Sequence, residues 1–470
     1  MSGFASSYSP LFGSRCALLL GAVLLLGACT TLGPEFQEPS PEWLSAWQPD
    51  LYGQLQSSAS GEPADLSDWW LRFKDPALER LVQAVLAENK SLQIAGLRVL
   101  EARARLGGAE ALRLPQLQQF GASAAYLRKR QSDGLLPASD NSLGSYSASF
   151  SLGWEVDFWG RFRRGIESAD AAFLSSVANQ HDLQVLLIAQ TADLYFAWRT
   201  TGLRIGIARK NADIQKRSFD ITRQLFDQGQ ESELDLQQAR TQYLATLASI
   251  PDLERILIQQ RNALALLLAR GPGPLAELSA DAGALPAVDP VVLRDIPAQL
   301  ILRRPDVRAS AWQAAAQSAQ IGIANAELYP SISLFGSFGW SGDSLSVTRD
   351  GTSFAAGPGI SWNIFDYGRI RSNIRVQDAR FQQALGAFDN TVLQAAREID
   401  DAAVAVIKTA ERKQYLGESR SAAERALELA NRRYREGYAD FQRVLDAQRA
   451  LFSQAEKELV NEGAHVSAVI

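Results

Sequence analysis

Side chains able to do chemistry are scarce in this 470-residue chain. It carries two cysteines, Cys16 and Cys29, and two histidines, His181 and His465. No cysteine follows Cys29, which excludes disulfides and thiolate metal sites from the body of the protein. The two histidines are too far apart in the chain for a multi-histidine metal centre. Neither stands in a nucleophile motif, so both read as helix-surface residues. No zinc-protease, P-loop or dinucleotide-binding signature occurs. The net charge of −5 is small for this length and implies no nucleic-acid partner. These absences speak against an enzyme and imply neither a cofactor nor a metal.

Cys29 is the one reactive side chain with a motif around it. Ala17–Ala28 is a short apolar run behind Arg15, the form of a secretory signal. At about 12 residues it is too short to span a bilayer, which takes about 20. It ends in Leu26-Gly27-Ala28-Cys29, which resembles the bacterial lipobox. That resemblance implies a covalent lipid on Cys29 and removal of residues 1–28. Thr30 follows, where an aspartate would favour inner-membrane retention, so the resemblance points to the outer membrane. No later stretch holds about 20 uninterrupted apolar residues. A membrane crossing by the mature chain therefore requires a β-barrel.

The elements that would build such a barrel occur twice. Trp154-Glu155-Val156-Asp157-Phe158-Trp159-Gly160-Arg161 matches Trp362-Asn363-Ile364-Phe365-Asp366-Tyr367-Gly368-Arg369, with 208 positions between equivalents. Phe226-Asp227-Gln228-Gly229 matches Tyr434-Arg435-Glu436-Gly437 at the same offset. Leu114-Pro115-Gln116-Leu117 matches Tyr329-Pro330-Ser331-Ile332 at 215, so seven residues are absorbed between these points. The chain is two copies of one structural unit.

Each copy changes its period midway. Residues 145–156 alternate Tyr146, Ala148, Phe150, Leu152, Trp154 and Val156 with serine, glycine and Glu155. Residues 331–341 and 353–364 repeat the pattern, and 116–128 carries a weaker version. A strict period of two predicts strands with one apolar face and one small polar face. Aromatic residues gather near the strand ends, as in interfacial girdles. Four strands cannot close a barrel, whereas three chains would supply twelve. After each hairpin, residues 160–226 and 368–434 contain no proline and predict helices about 100 Å long. Gly229 and Gly437 end them, and a return helix follows each. Leu445, Phe452 and Leu459 recur every seven residues, a coiled-coil seam. Shorter helices at 78–112 and 304–327 precede the hairpins. The proline-rich stretch 34–65 reads as an extended segment.

These features together resemble the TolC-type outer-membrane efflux channels, in their lipoprotein (NodT-type) branch. The resemblance is carried by Leu26–Cys29, Trp69-Trp70 with Phe73 and Asp75-Pro76-Ala77-Leu78, Arg303-Arg304-Pro305-Asp306-Val307-Arg308, Tyr329-Pro330-Ser331-Ile332, and Gly437 with Leu445-Asp446-Ala447-Gln448-Arg449. It implies an α+β membrane protein. Three chains would form a 12-stranded outer-membrane β-barrel, four strands each, continued by a long periplasmic α-helical barrel. Residues 1–28 would be the signal peptide and 29–75 a lipidated extended segment. The repeats would occupy 76–270 and 298–470, with a connector at 271–297. Implied partners are two further copies, outer-membrane lipid, a periplasmic adaptor and an inner-membrane RND-type pump. The implied function is a passive gated duct for drugs or other small toxic compounds. A duct for type I, ABC-linked protein secretion is the alternative on the same fold, and a lipid-anchored scaffold without a pore is the alternative of another class.

The resemblance also marks a periplasmic gate. Asp446 matches the family's aspartate, Arg449 an arginine three residues on, and Tyr434 a tyrosine three before the turn glycine. Arg443 stands where some members have a second aspartate, so a mixed network of Asp446, Arg443 and Arg449 is expected. Three copies of Asp446 near one axis would repel, and interleaved arginines would neutralise them. Gly229 and Gly437 would form the tips that meet the adaptor.

Overall fold

The computed structural model describes residues 30–45, 68–131, 139–278, 283–287, 298–343 and 351–470. Cys29, the lipobox and residues 1–28 lie outside them. So do all of 46–67 and part of the 271–297 connector.

In chain order the main elements are α1 (Pro76–Glu88), α2 (Lys90–Ala111), β1 (Leu117–Gln131), β2 (Ser139–Val156), α3 (Arg161–Asp227), α4 (Glu233–Leu267), α5 (Pro305–Ala326), β3 (Ser331–Gly342), β4 (Thr352–Ser361), α6 (Arg369–Arg435) and α7 (Phe441–Val469). The two long helices, α3 and α6, have 67 residues each and start one position later than the sequence predicted. The predicted continuous helix over 78–112 is instead two helices, α1 and α2. Asn89 takes an extended conformation between them, its side chain caps the Leu92 N–H, and its Nδ2 donates to the Leu267 carbonyl. A residue that caps one helix and bonds a distant carbonyl leaves the continuous helix no advantage. Among the described residues no helix is long and apolar enough to cross a membrane.

The chain forms two compact units, each drawing on both sequence copies. One takes residues 30–40, Arg98–Ala178 and Arg308–Asn390; the other takes Pro41–Leu97, Asn179–Val307 and Thr391–Ile470.

The first unit holds the antiparallel sheet, in order β1-β2-β3-β4. Its register aligns Phe120 with Phe150, Phe150 with Phe338, and Phe338 with Phe354. All four rings are exposed, so one face carries an unbroken phenylalanine row across both copies. The neighbouring row, on the opposite face, is Gln119, Ser151, Ser337 and Ala355. An oily face that water would disfavour, backed by a polar one, is the pattern of a lipid-facing barrel wall. One row of the small-residue face also carries bulk, Leu117 and Phe335 alternating with Gly153 and Gly357 in register. The first hairpin is longer than the second, with strands of 15 and 18 residues against 12 and 10. The alanines of α5 (Ala309, Ala311, Ala314, Ala315, Ala319) are buried, and small side chains let helices approach closely. Ser168 and Ser175 of α3 donate to the Ala316 and Ala309 carbonyls of α5.

The second unit is cored by Trp70, Phe73, Leu78, Leu81, Val82, Leu187, Phe196, Leu264 and Val466. Asp75 caps α1 by accepting from Ala77 and Leu78. Its other oxygen takes the Tyr195 hydroxyl and the Arg199 guanidinium, both nearly buried. Burial, then the Asp75 charge, pushes the Tyr195 phenol up to about 12. The tryptophan-aspartate-proline motif is thus a packing device. Arg304 forks onto Asp306 and also reaches Glu398, which gives the Arg-Pro-Asp motif the same kind of role.

Candidate functional site: helix tips and gate residues

The tip of each helical pair is built by one turn, used twice. Gly229 and Gly437 adopt positive φ, 73° and 78°. After α3, Gln230 N–H returns to the Leu225 carbonyl and Gly229 N–H to Phe226. After α6, Tyr438 N–H returns to Arg433 and Gly437 N–H to Tyr434. This pair of bonds is the Schellman stop, and the left-handed residue it requires makes glycine the favoured choice. Ser232 then caps α4 through the Asp235 N–H. A side chain built on either tip glycine would meet nothing within 4 Å among the described residues. Tyr438 beside the second tip is exposed.

Tyr434 does not join the charged residues expected at the gate. Its hydroxyl donates to Glu231 Oε1 at 2.6 Å, and its ring packs on Phe441 with centroids 5.3 Å apart. Glu231 lies in the first tip and Tyr434 in the second, so this bond ties the two tips together. Burial, then the hydrogen bond to Glu231, holds the Tyr434 phenol above its ordinary range. Phe441, Val444 and Leu445 are buried beneath it with Ala239 and Leu427. Leu459 is also buried, and Phe452 packs against Ile205 and Leu253, so the seven-residue seam of α7 faces its neighbours.

Asp446 and Arg449 do come together. Arg449 Nη1 lies 3.5 Å from Asp446 Oδ1, and both side chains are about half exposed. Gln442 donates to the same Asp446 oxygen at 3.0 Å, and Arg449 Nε reaches Gln242 of α4 at 2.6 Å. Arg443 is exposed, and among the described residues no ion pair joins it to Asp446. An exposed i,i+3 pair of this length contributes about 0.2–0.5 kcal/mol to a fold. Its charges are available for work other than stability. Sequence reading missed Glu231, Gln242 and Gln442, because polar residues in turns and on helix surfaces carry no periodic signal.

A sheet oily on one face and polar on the other, joined to helices of this length, defines a class: channels whose wall is a β-barrel completed by further copies. The chain belongs to the outer membrane efflux protein family, which matches residues 81–270 and 296–470. It is 31% identical over 94% of both chains to the solvent efflux pump outer membrane protein SrpC of Pseudomonas putida. It is 31% identical to the outer membrane protein OprJ of Pseudomonas aeruginosa, covering 94% of this chain and 91% of the other. Among solved structures, the outer-membrane channel OprN superposes with a TM-score of 0.82 at 32% identity, covering 93% and 97% of the two chains. The protein is therefore an outer-membrane efflux channel subunit and not an enzyme. Three copies form the barrel and its helical extension into the periplasm. It works as the outer-membrane component of an efflux pump system.

Proposed function

We propose that this channel is the exit duct for drugs or other small toxic compounds, coupled through a periplasmic adaptor to an inner-membrane RND-type pump. The supporting observation is the likeness over almost the whole chain to outer membrane proteins named for solvent and toluene efflux. In this reading Cys29 carries the lipid, the turns at Gly229 and Gly437 meet the adaptor, and Asp446 with Arg449 holds the periplasmic end closed. Arg443 adds positive charge to the same end, and the Tyr434–Glu231 bond keeps the two tips together.

A photo-reactive residue in place of the exposed Tyr438 tests the coupling in intact cells. Capture of an RND-type adaptor is the expected result, and capture of an ABC-linked adaptor would replace the drug duct by a secretion duct. The gate has its own test. Asp446→Ala with Arg449→Ala is expected to raise single-channel conductance in a planar bilayer. Because the pair is exposed, the substitution leaves the fold intact, and unchanged conductance removes these residues from the gate.

A further inference from the structure

Arg164, in the first turn of α3, is the largest fully buried side chain of the described residues, at 1% exposure. Four of its bonds are accounted for. Nε donates to the Leu32 carbonyl at 3.0 Å and Nη2 to the Gly33 carbonyl at 3.3 Å. Nη2 also pairs with Glu35 at 2.7 Å, and Nη1 with Glu167 of its own helix at 2.6 Å. Three of these four acceptors belong to residues 32–35, a segment with no helix or strand of its own. The segment is also locked by its backbone, since Leu32 N–H donates to the Trp159 carbonyl at 3.2 Å.

Glycines let the segment come this close. A methyl group at Gly322 of α5 would lie 2.6 Å from the Leu32 oxygen and 2.7 Å from Arg164 Cγ. One at Gly160 would lie 2.8 Å from the Thr31 Cα. A buried guanidinium with a forked donor set, framed by two glycines, is a built seat. Lysine, a point donor, could not serve both carbonyls and both carboxylates at once.

The seat lies at the end of β2, among Trp159, Phe158 and Tyr329, with the Trp159 and Tyr329 rings stacked at 4.6 Å. Such aromatics mark the depth of lipid headgroups. Thr31 stands two residues after Cys29, and two extended residues reach at most about 7 Å. We propose that Arg164 is a positioning residue: with Gly160 and Gly322 it seats the strap Thr31–Glu35, so that the acyl chains on Cys29 leave each protomer at the level where its strands end. The anchoring half of this proposal rests on the lipid reading given above.

Hydrogen–deuterium exchange on the purified full-length trimer tests it, comparing the natural protein with Arg164→Ala, Arg164→Lys, Glu35→Gln and Cys29→Ala. The amides of Leu32, Gly33, Glu35 and Phe36 are expected to exchange at least tenfold faster in both Arg164 variants. They should exchange about threefold faster in Glu35→Gln, with the amides around Gly229 and Gly437 unchanged. Cys29→Ala is expected to keep the strap protected, because the seat recognises chain and not lipid. If Arg164→Ala yields no trimer, the lysine and glutamine variants carry the measurement. Unchanged strap exchange in those two overturns the proposal. So does equal acceleration at the tips, which would make Arg164 a support for the whole fold. Intact mass separates the two readings: natural protein without acyl mass on Cys29 sinks the anchor, whatever the exchange shows at the seat.

Discussion

At the first sheet–helix junction Gly160 is buried under Thr31, and Trp159 bonds the Pro330 carbonyl. At the second, a side chain built on Gly368 would meet nothing within 4 Å among the described residues, and Tyr367, where the first copy has Trp159, is fully exposed. Yet the backbone devices are similar, with the aspartate shifted by one position, since Asp157 is equivalent to Phe365 and Asp366 to Phe158. Both glycines have positive φ, 75° and 88°. Asp157 accepts the Phe162 and Arg163 N–H groups, and Asp366 accepts those of Gly368 and Ile370. Trp154 donates to the Arg113 carbonyl and Trp362 to Leu328, each at the end of the preceding helix. The acceptors are 215 positions apart and the donors 208, so the contact survived the seven-residue change in spacing. The glycine turn and the tryptophan contact are thus duplicated with the sequence and the aspartate cap is kept one position later, whereas burial depends on what lies outside the repeat. The strap exists once, so only one junction is clothed within the chain.

Matched substitutions in the two copies sharpen this contrast. Where the surroundings are alike, costs should be equal. Phe150→Lys and Phe338→Lys both put a charge on the oily face, at about 2–4 kcal/mol each near the bilayer midplane. Each should abolish the heat-resistant trimer on gels, while Ser337→Lys on the opposite face should retain it. A lost trimer in Ser337→Lys alone would reverse the assignment of faces. Where the surroundings differ, costs should diverge. Gly160→Ala and Gly368→Ala share a backbone strain of about 1–2 kcal/mol, but only the first also collides with Thr31, adding about 1–3 kcal/mol. A lower melting temperature for Gly160→Ala is expected, and equal values would mean that the strap does not press on this junction. The helix caps, one position apart in the repeat, should act alike: Asp157→Ala and Asp366→Ala are each expected to lower the midpoint of denaturant melts.

The smallest effect belongs to the tips. Tyr434→Phe is expected to cost about 0.5–1.5 kcal/mol at neutral pH through the lost bond to Glu231. The raised phenol means that the folded tip holds its proton more tightly than the unfolded chain. Its contribution is therefore complete below the unfolded value of about 10 and is lost as pH rises beyond it. Melting curves between pH 8 and 11 should converge for the two proteins. Curves that stay parallel would show that the Tyr434 proton plays no part.

The strands, the two long helices and their turn glycines were legible in the sequence because each rests on a local rule. A period of two, a run without proline and a glycine after it need no knowledge of the fold. Recognition of Asp446 and Arg449 came from family resemblance, and only coordinates showed that they pair while Arg443 stands apart. Arg164 was invisible: it sits in Arg161-Phe162-Arg163-Arg164, and nothing in the sequence distinguishes the buried arginine from its exposed or half-buried neighbours. Three of its four partners lie about 130 residues away, and their spacing obeys no period. Asn89 escaped for the same reason, because its bond to Leu267 is long-range.

The sheet ends in two edges, β1 and β4, with which no further strand pairs among the described residues. A lone protomer would leave both rows of backbone groups unpaired in lipid, so insertion is favourable only for the closed set of three. This has a genetic consequence. A chain that folds but carries a faulty β1 edge would spoil each ring it enters. If mixing is random and the two alleles are expressed equally, only about one ring in eight would contain natural chains alone. Such an allele should behave as dominant in cells that still carry the intact gene.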